Sequence, residues 1–313
     1  MPSLRKELGR VLVELGKEHK NLVVITGDLG KSTGVGAFET FPERYFNLGI
    51  SEQDMVGTAA GLASVGKTPI VSTFAVFLAG RAWEQIRNTV AHDHLNVKMI
   101  ATHSGISPSA DGSSHQCFED IALMRAIPGT TLVLPGDLSE MRHTVRSAVE
   151  NAGPFYIRLG RGEIPQIFDD RDEFQIGKSR RISDGSDIAI VAAGFLLQEA
   201  MEAGSMLQKE GIRASIVDMH TVKPADTSTI TKIAEKAGAI VTVEDHNILG
   251  GLGSTVAEIT CRAKPVPIEM IGIHDRFGES GGLRELMEIH GLTAHHIVDA
   301  AKRAMKLKDN PNQ

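Results

Sequence analysis

Apolar positions along this chain fall into two alternating kinds of segment. Leu4, Leu8, Val11, Leu12 and Leu15 recur at helical spacing, which predicts an amphipathic helix over residues 4–16. The unbroken apolar run 22–26 then reads as a buried strand ending in Gly27-Asp28. The alternation continues with strand-like 69–74 before a helical run at 79–92, and strand-like 97–102 before a polar loop at 103–116. Strand-like 131–134 precedes a helix at 138–150, with Asp137 as N-cap and Glu140 three residues on, and 155–159 is a further short strand. Continuous apolar strands between helices predict an α/β fold of parallel sheets covered on both faces.

Between about 160 and 186 the pattern lapses into Gly, Pro and charge, and then it restarts. Strands are predicted at 187–193, 214–218, 239–243 and 267–271, with helices at 195–210, 226–237, near 253–263, near 281–288 and at 293–307. The expected organisation is a first domain at 1–165, a linker at 166–186 and a second domain at 187–313, with a frayed polar tail from Lys306 to Gln313. A net charge of −6 and a pI near 6.1 offer no electrostatic attraction for nucleic acid or an anionic membrane. No run of eighteen apolar residues suggests a membrane span, and the first residues lack an apolar signal core, so a cytoplasmic location is expected. Cys117 and Cys261 make neither a disulfide framework nor a metal-ligand spacing.

The densest chemistry lies at two strand ends. In Asn47-Leu48-Gly49-Ile50-Ser51-Glu52-Gln53-Asp54-Met55, an extended run stops at a helix start, with Ser51 and Asp54 spaced as a capping box. Glu52 therefore occupies a first helical turn at the carboxyl end of a strand, where open parallel sheets bind ligands. The helix dipole alone would also favour a carboxylate there. The loop from Thr102 to Gln116 sets His103, Asp111 and His115 among Gly and Ser, groups able to exchange protons and hold hydroxyls. A solvated loop with incidental histidines is the alternative reading. Phe74 and Phe77, three apart, form either one wall of a flat slot or ordinary core. Arg5, Arg158 and Arg161 are candidate phosphate ligands or surface ion pairs. Gly250-Gly251-Leu252-Gly253 lacks the third glycine of a dinucleotide fingerprint and reads as a tight turn, and His92 with His94 reads as a polar helix end.

Four of these segments, in order and spacing, resemble the transketolase family of thiamine diphosphate enzymes. They are Gly27-Asp28-Leu29 with Ser32, Gly49 to Met55, Ser72-Thr73-Phe74 with Phe77, and His103 through Asp111-Gly112-Ser113-Ser114-His115-Gln116. A fifth is Asp275-Arg276-Phe277-Gly278-Glu279-Ser280-Gly281. The resemblance implies a pyrimidine-binding domain followed by a transketolase C-terminal domain. It implies that Glu52 hydrogen-bonds the cofactor's pyrimidine nitrogen and promotes the tautomer that removes the thiazolium proton. A carboxyl in an apolar slot has the raised proton affinity this needs. Phe74 and Phe77 would wall the pyrimidine, and Asp28 would line the cofactor site. His103 and Asp111 would contact donor-sugar hydroxyls, while His115, Arg161, Arg5 and Ser32 would hold the sugar phosphate. Ser51 and Gln53 depart from the Arg and His common around the glutamate, and Gly80 replaces a third aromatic.

The family holds diphosphate and a divalent metal, Mg²⁺ or Ca²⁺, through a Gly-Asp-Gly run followed by Asn, and this sequence has no such run. The resemblance therefore implies the C-terminal subunit of a split transketolase. A partner N-terminal subunit would supply the metal-diphosphate half, with two of each chain in a heterotetramer acting on sugar phosphates. The beta subunit of a 2-oxo acid dehydrogenase and a catalytically silent structural subunit are the rival expectations.

Overall fold

Residues 3–309 are described in this computed structural model, and their strands form two sheets. In chain order the strands are β1 (Leu22–Thr26), β2 (Tyr45–Asn47), β3 (Thr68–Phe74), β4 (Lys98–Thr102), β5 (Thr131–Val133), β6 (Phe155–Arg158), β7 (Arg180–Ser183), β8 (Ile188–Ala192), β9 (Ala214–Asp218), β10 (Thr221–Lys223), β11 (Ile240–Asn247) and β12 (Ile268–Ile273). The first sheet runs β10-β5-β6-β4-β3-β1-β2 and the second β12-β11-β8-β9-β7. All pairings are parallel except β10 with β5 and β7 with β9. Strands β1, β3, β4 and β8 are buried along their whole length, as continuous apolar runs between helical layers must be. Among the described residues no helix is long and apolar enough to cross a membrane.

Three local expectations need correction, and one strand went unread. Arg180–Ser183, inside the expected linker, is strand β7 at the edge of the second sheet. It pairs with β9 on one side only and its residues are partly or fully exposed, so it carries no apolar run. Thr221–Lys223 crosses over to become the edge of the first sheet, and three residues are too few to show a period. The helical run expected at 79–92 starts earlier and includes two stretches of wide π-type turn, Val76–Arg81 and Ile86–Ala91. The last helix, Ala294–Asp309, continues through Lys306 and Lys308, whose charges complement its C-terminal dipole. The rest of the expected frayed tail, residues 310–313, lies outside the described residues. Asp137 caps its helix as expected, Oδ1 accepting from Glu140 N at 2.7 Å.

The two sheets share one continuous apolar layer. Ile121, Met124 and Tyr156 of the first half pack in the same cluster as Val217, Met219, Ile230 and Leu252 of the second. A buried ion network crosses the same boundary. Arg158, at the end of β6, donates through Nε to Asp120 Oδ2 at 2.9 Å and through Nη1 to Asp245 Oδ1 of β11 at 2.5 Å. Tyr156 adds its hydroxyl to Asp120 Oδ2 at 3.0 Å. Arg158 is 3% exposed, so it is a structural cation and not a phosphate ligand. Replacing Arg158 by Ala would strand two buried carboxylates, at a cost of about 3–5 kcal/mol in urea denaturation. A loss below about 1 kcal/mol would show that the pairs are dispensable.

Candidate active site

The site begins where β1 and β2 end. Asn47 Oδ1 accepts from Asp28 N at 2.9 Å and Gly49 N at 3.1 Å, tying the two strand ends together. A Cβ at Gly27 would lie 2.7 Å from the Met55 sulfur and 2.8 Å from Gly49 O, so only glycine lets the helix come this close. Gly49 itself has φ 72°, which turns the chain into the Glu52–Ser64 helix. Ser51 stands at the N-cap position, but the expected capping box does not form. Its hydroxyl donates back to Leu48 O at 2.8 Å instead of accepting from a helix amide.

Glu52 is 1% exposed in the first helical turn. Its slot is not purely apolar, as the sequence suggested. Arg81 Nη1 donates to Glu52 Oε2 at 2.6 Å. Arg81 also lies over the Phe77 ring, 4.8 Å from its centroid. Sequence reasoning passed over Arg81, and its place directly after Gly80, where the family often has an aromatic, was the available signal.

Phe74 ends β3 and Phe77 sits in the wide turn that follows, their rings near-parallel at 15° and 6.0 Å apart. His103, with φ 55° at the end of β4, stacks on Phe74 at 3.8 Å. His115 stands edge-on to both phenyl rings at 6.2 and 5.6 Å. The two aromatics and two histidines picked from sequence thus form one cluster. His103 Nδ1 meets Thr102 Oγ1 at 3.0 Å. Burial, reinforced by the Arg161 cation, pushes its pKa down to about 4, so the ring is neutral near pH 7.

His103 also lines a cavity of about 290 Å³ with Arg5, Ser32, Arg161, Lys6 and Glu163. Three positions chosen from sequence, Arg5, Ser32 and Arg161, therefore converge on His103 from separate elements. Arg161 is held there by Asp111, Nη1 to Oδ2 at 2.8 Å, and by Pro108 O at 3.2 Å. Asp28 is exposed at the end of β1, with φ 63°, and does not line this cavity. The glycine turn at 250–253 is already filled by the chain itself: Glu244 accepts from Leu252 N at 2.7 Å and Gly253 N at 2.8 Å. Among the described residues no three His, Cys, Asp or Glu side chains gather as a metal group.

Comparison with known families decides the assignment. Residues 1–166 match the model of the transketolase pyrimidine binding domain and residues 177–297 that of the transketolase C-terminal domain. The chain belongs to the transketolase family. A protein of Methanocaldococcus jannaschii named as a transketolase C-terminal section is 46% identical over 97% of this chain and 96% of its own length. One of the subunits of the apulose-4-phosphate transketolase of Phocaeicola vulgatus is 38% identical over 98% of each chain. A solved split-gene transketolase, described as an inactive beta4 tetramer, superposes with a TM-score of 0.89 at 45% identity, covering 98% of this chain and 99% of that one.

For this transketolase-family chain, the depressed His103 pKa sets a sign. The neutral ring's contribution to stability is full above the unfolded value of 6.5 and is lost as pH falls towards about 4. Nitrogen-15 NMR of labelled histidine should show His103 neutral at pH 6, with a midpoint near 4. A midpoint near 6.5 would overturn this reading of the pocket.

Proposed function

We propose that this chain is the subunit of a two-chain transketolase that holds the pyrimidine end of thiamine diphosphate and the sugar phosphate. Assembled with an N-terminal partner subunit, two of each in a heterotetramer, it transfers a two-carbon ketol unit from a ketose phosphate to an aldose phosphate. The observation that carries this reading is a buried Glu52 carboxylate joined through the Arg81 guanidinium to Phe77 of a Phe74–Phe77–His103 stack. A planar heterocycle with a ring N–H fits that combination of one acceptor and aromatic faces. The missing Gly-Asp-Gly run supports the assignment of Mg²⁺ or Ca²⁺ and the diphosphate to the partner.

When bound, thiamine diphosphate supplies the nucleophilic carbon that takes up and hands on the two-carbon unit. Glu52 accepts the ring's N–H and so fixes which tautomer is present. Phe74 and Phe77 cover the ring and exclude water. His103, neutral, is both donor and acceptor to a substrate hydroxyl without adding charge next to the reacting atoms. Arg161 and Arg5 supply forked donors for a phosphate, with Ser32 beside them, and Asp111 fixes the Arg161 fork and offers an acceptor to a donor-sugar hydroxyl. Asp28 lines the approach to the cofactor.

Glu52→Ala, assembled with the partner, should keep the fold and lose at least about 100-fold in kcat with xylulose 5-phosphate and ribose 5-phosphate. Near-wild-type turnover by that variant would sink the assignment. Turnover of pyruvate with a lipoyl domain in place of the sugars would move the chain to the 2-oxo acid dehydrogenases.

A further inference from the structure

Glu52 and Phe77 share a neighbour whose chemistry imitates the ligand expected between them. Arg81 closes the wide turn Val76–Arg81, four residues after Phe77, so both side chains lie on one side of it. Its guanidinium is planar and cationic, donates to Glu52 Oε2 at 2.6 Å and lies on the Phe77 ring. A protonated aminopyrimidine presents the same features: a flat face for an aromatic ring and an N–H edge for a carboxylate. We propose that Arg81 is a resident stand-in for the cofactor's pyrimidine, satisfying Glu52 in the free subunit and giving up the carboxylate when the ring binds. The proposal rests on the reading of Glu52 as the acceptor for that ring.

Three observations support displacement over a permanent pair. The Glu52 side chain is 1% exposed, and a carboxylate buried that deeply needs a partner whenever the ring is absent. The Arg81 side chain is 46% exposed, so its head group can return to water by a short swing of a flexible stem. The backbone at Arg81 is held independently, since Gln53 Nε2 donates to Arg81 O at 3.1 Å. The side chain can therefore leave while the turn stays in place. Gly80 beside it leaves open space, with no atom within 4 Å of where a Cβ would stand.

The cost of breaking the pair is paid from cofactor affinity. The test is calorimetry of thiamine diphosphate with Mg²⁺ on the chain assembled with its partner. Arg81→Met keeps the stem over Phe77 and removes the competing donor, and it should lower Kd about tenfold. Arg81→Lys, the milder change, should fall between the two. In urea, the free Arg81→Met chain should be less stable than wild type, and Glu52→Gln in that background should restore it. Unchanged or weaker binding in both variants would overturn the proposal, because a purely structural or permanent partner of Glu52 cannot raise affinity when removed. Failure of the wild-type assembly to bind thiamine diphosphate would instead remove the proposed function, and the role of Arg81 with it.

Discussion

The ion network around Arg158 is the constraint on which the rest of the structure depends. One guanidinium at the end of β6 holds Asp120 from the first half of the chain and Asp245 from the second. It also donates to the carbonyls of Cys117 and Asp245 at 3.4 and 3.2 Å. Cys117 O in turn accepts Gly105 N at 3.0 Å, so the base of the 103–116 loop rests on the network. Gly105, with φ 56°, lies against the Asp245 carboxylate, and a Cβ there would collide with it. The loop that carries His103, Asp111 and His115 is therefore shaped by a strand from the other domain.

The same dependence appears at the far end of the loop. Gln116 Nε2 donates to Glu279 O at 3.0 Å, and Gly112 sits against Ser280. The Asp275–Gly281 motif thus has a physical role in this chain: its backbone buttresses the loop from outside. Gly278 lets the Gln116 amide lie close, because a Cβ there would meet its Oε1 and displace the side chain. Neither domain alone would hold the loop in this form.

Charge is distributed differently in the scaffold and in the site. The scaffold buries more carboxylates than cations, and burial pushes Glu244 up to about 7 and raises Asp218, Asp245 and Glu140. Glu244 is compensated by two backbone amides at a helix N-terminus, where the dipole favours an acceptor. The site inverts the balance. His103 is neutral at its centre, Arg5, Lys6 and Arg161 stand around the cavity, and Arg81 sits half-exposed on Glu52. Polar groups that must be released to a ligand are kept near water, and those that hold the frame are buried and paired.

Local pattern determined the parallel strands, the capped helix at Asp137, the glycine turns and the place of Glu52 in a first helical turn. Each of these depends on residues within a few positions of one another, so periodicity and spacing report them directly. The tertiary structure alone decided that Arg158 is buried while Arg161 faces a cavity, although the two are three residues apart. It alone set Arg81 on Glu52 across 29 residues, turned the Ser51 hydroxyl away from its helix, and sent β10 across to the first sheet. Those outcomes follow from which distant charges and edges come together when two sheets pack. A one-dimensional pattern carries the demand for a partner but not its identity.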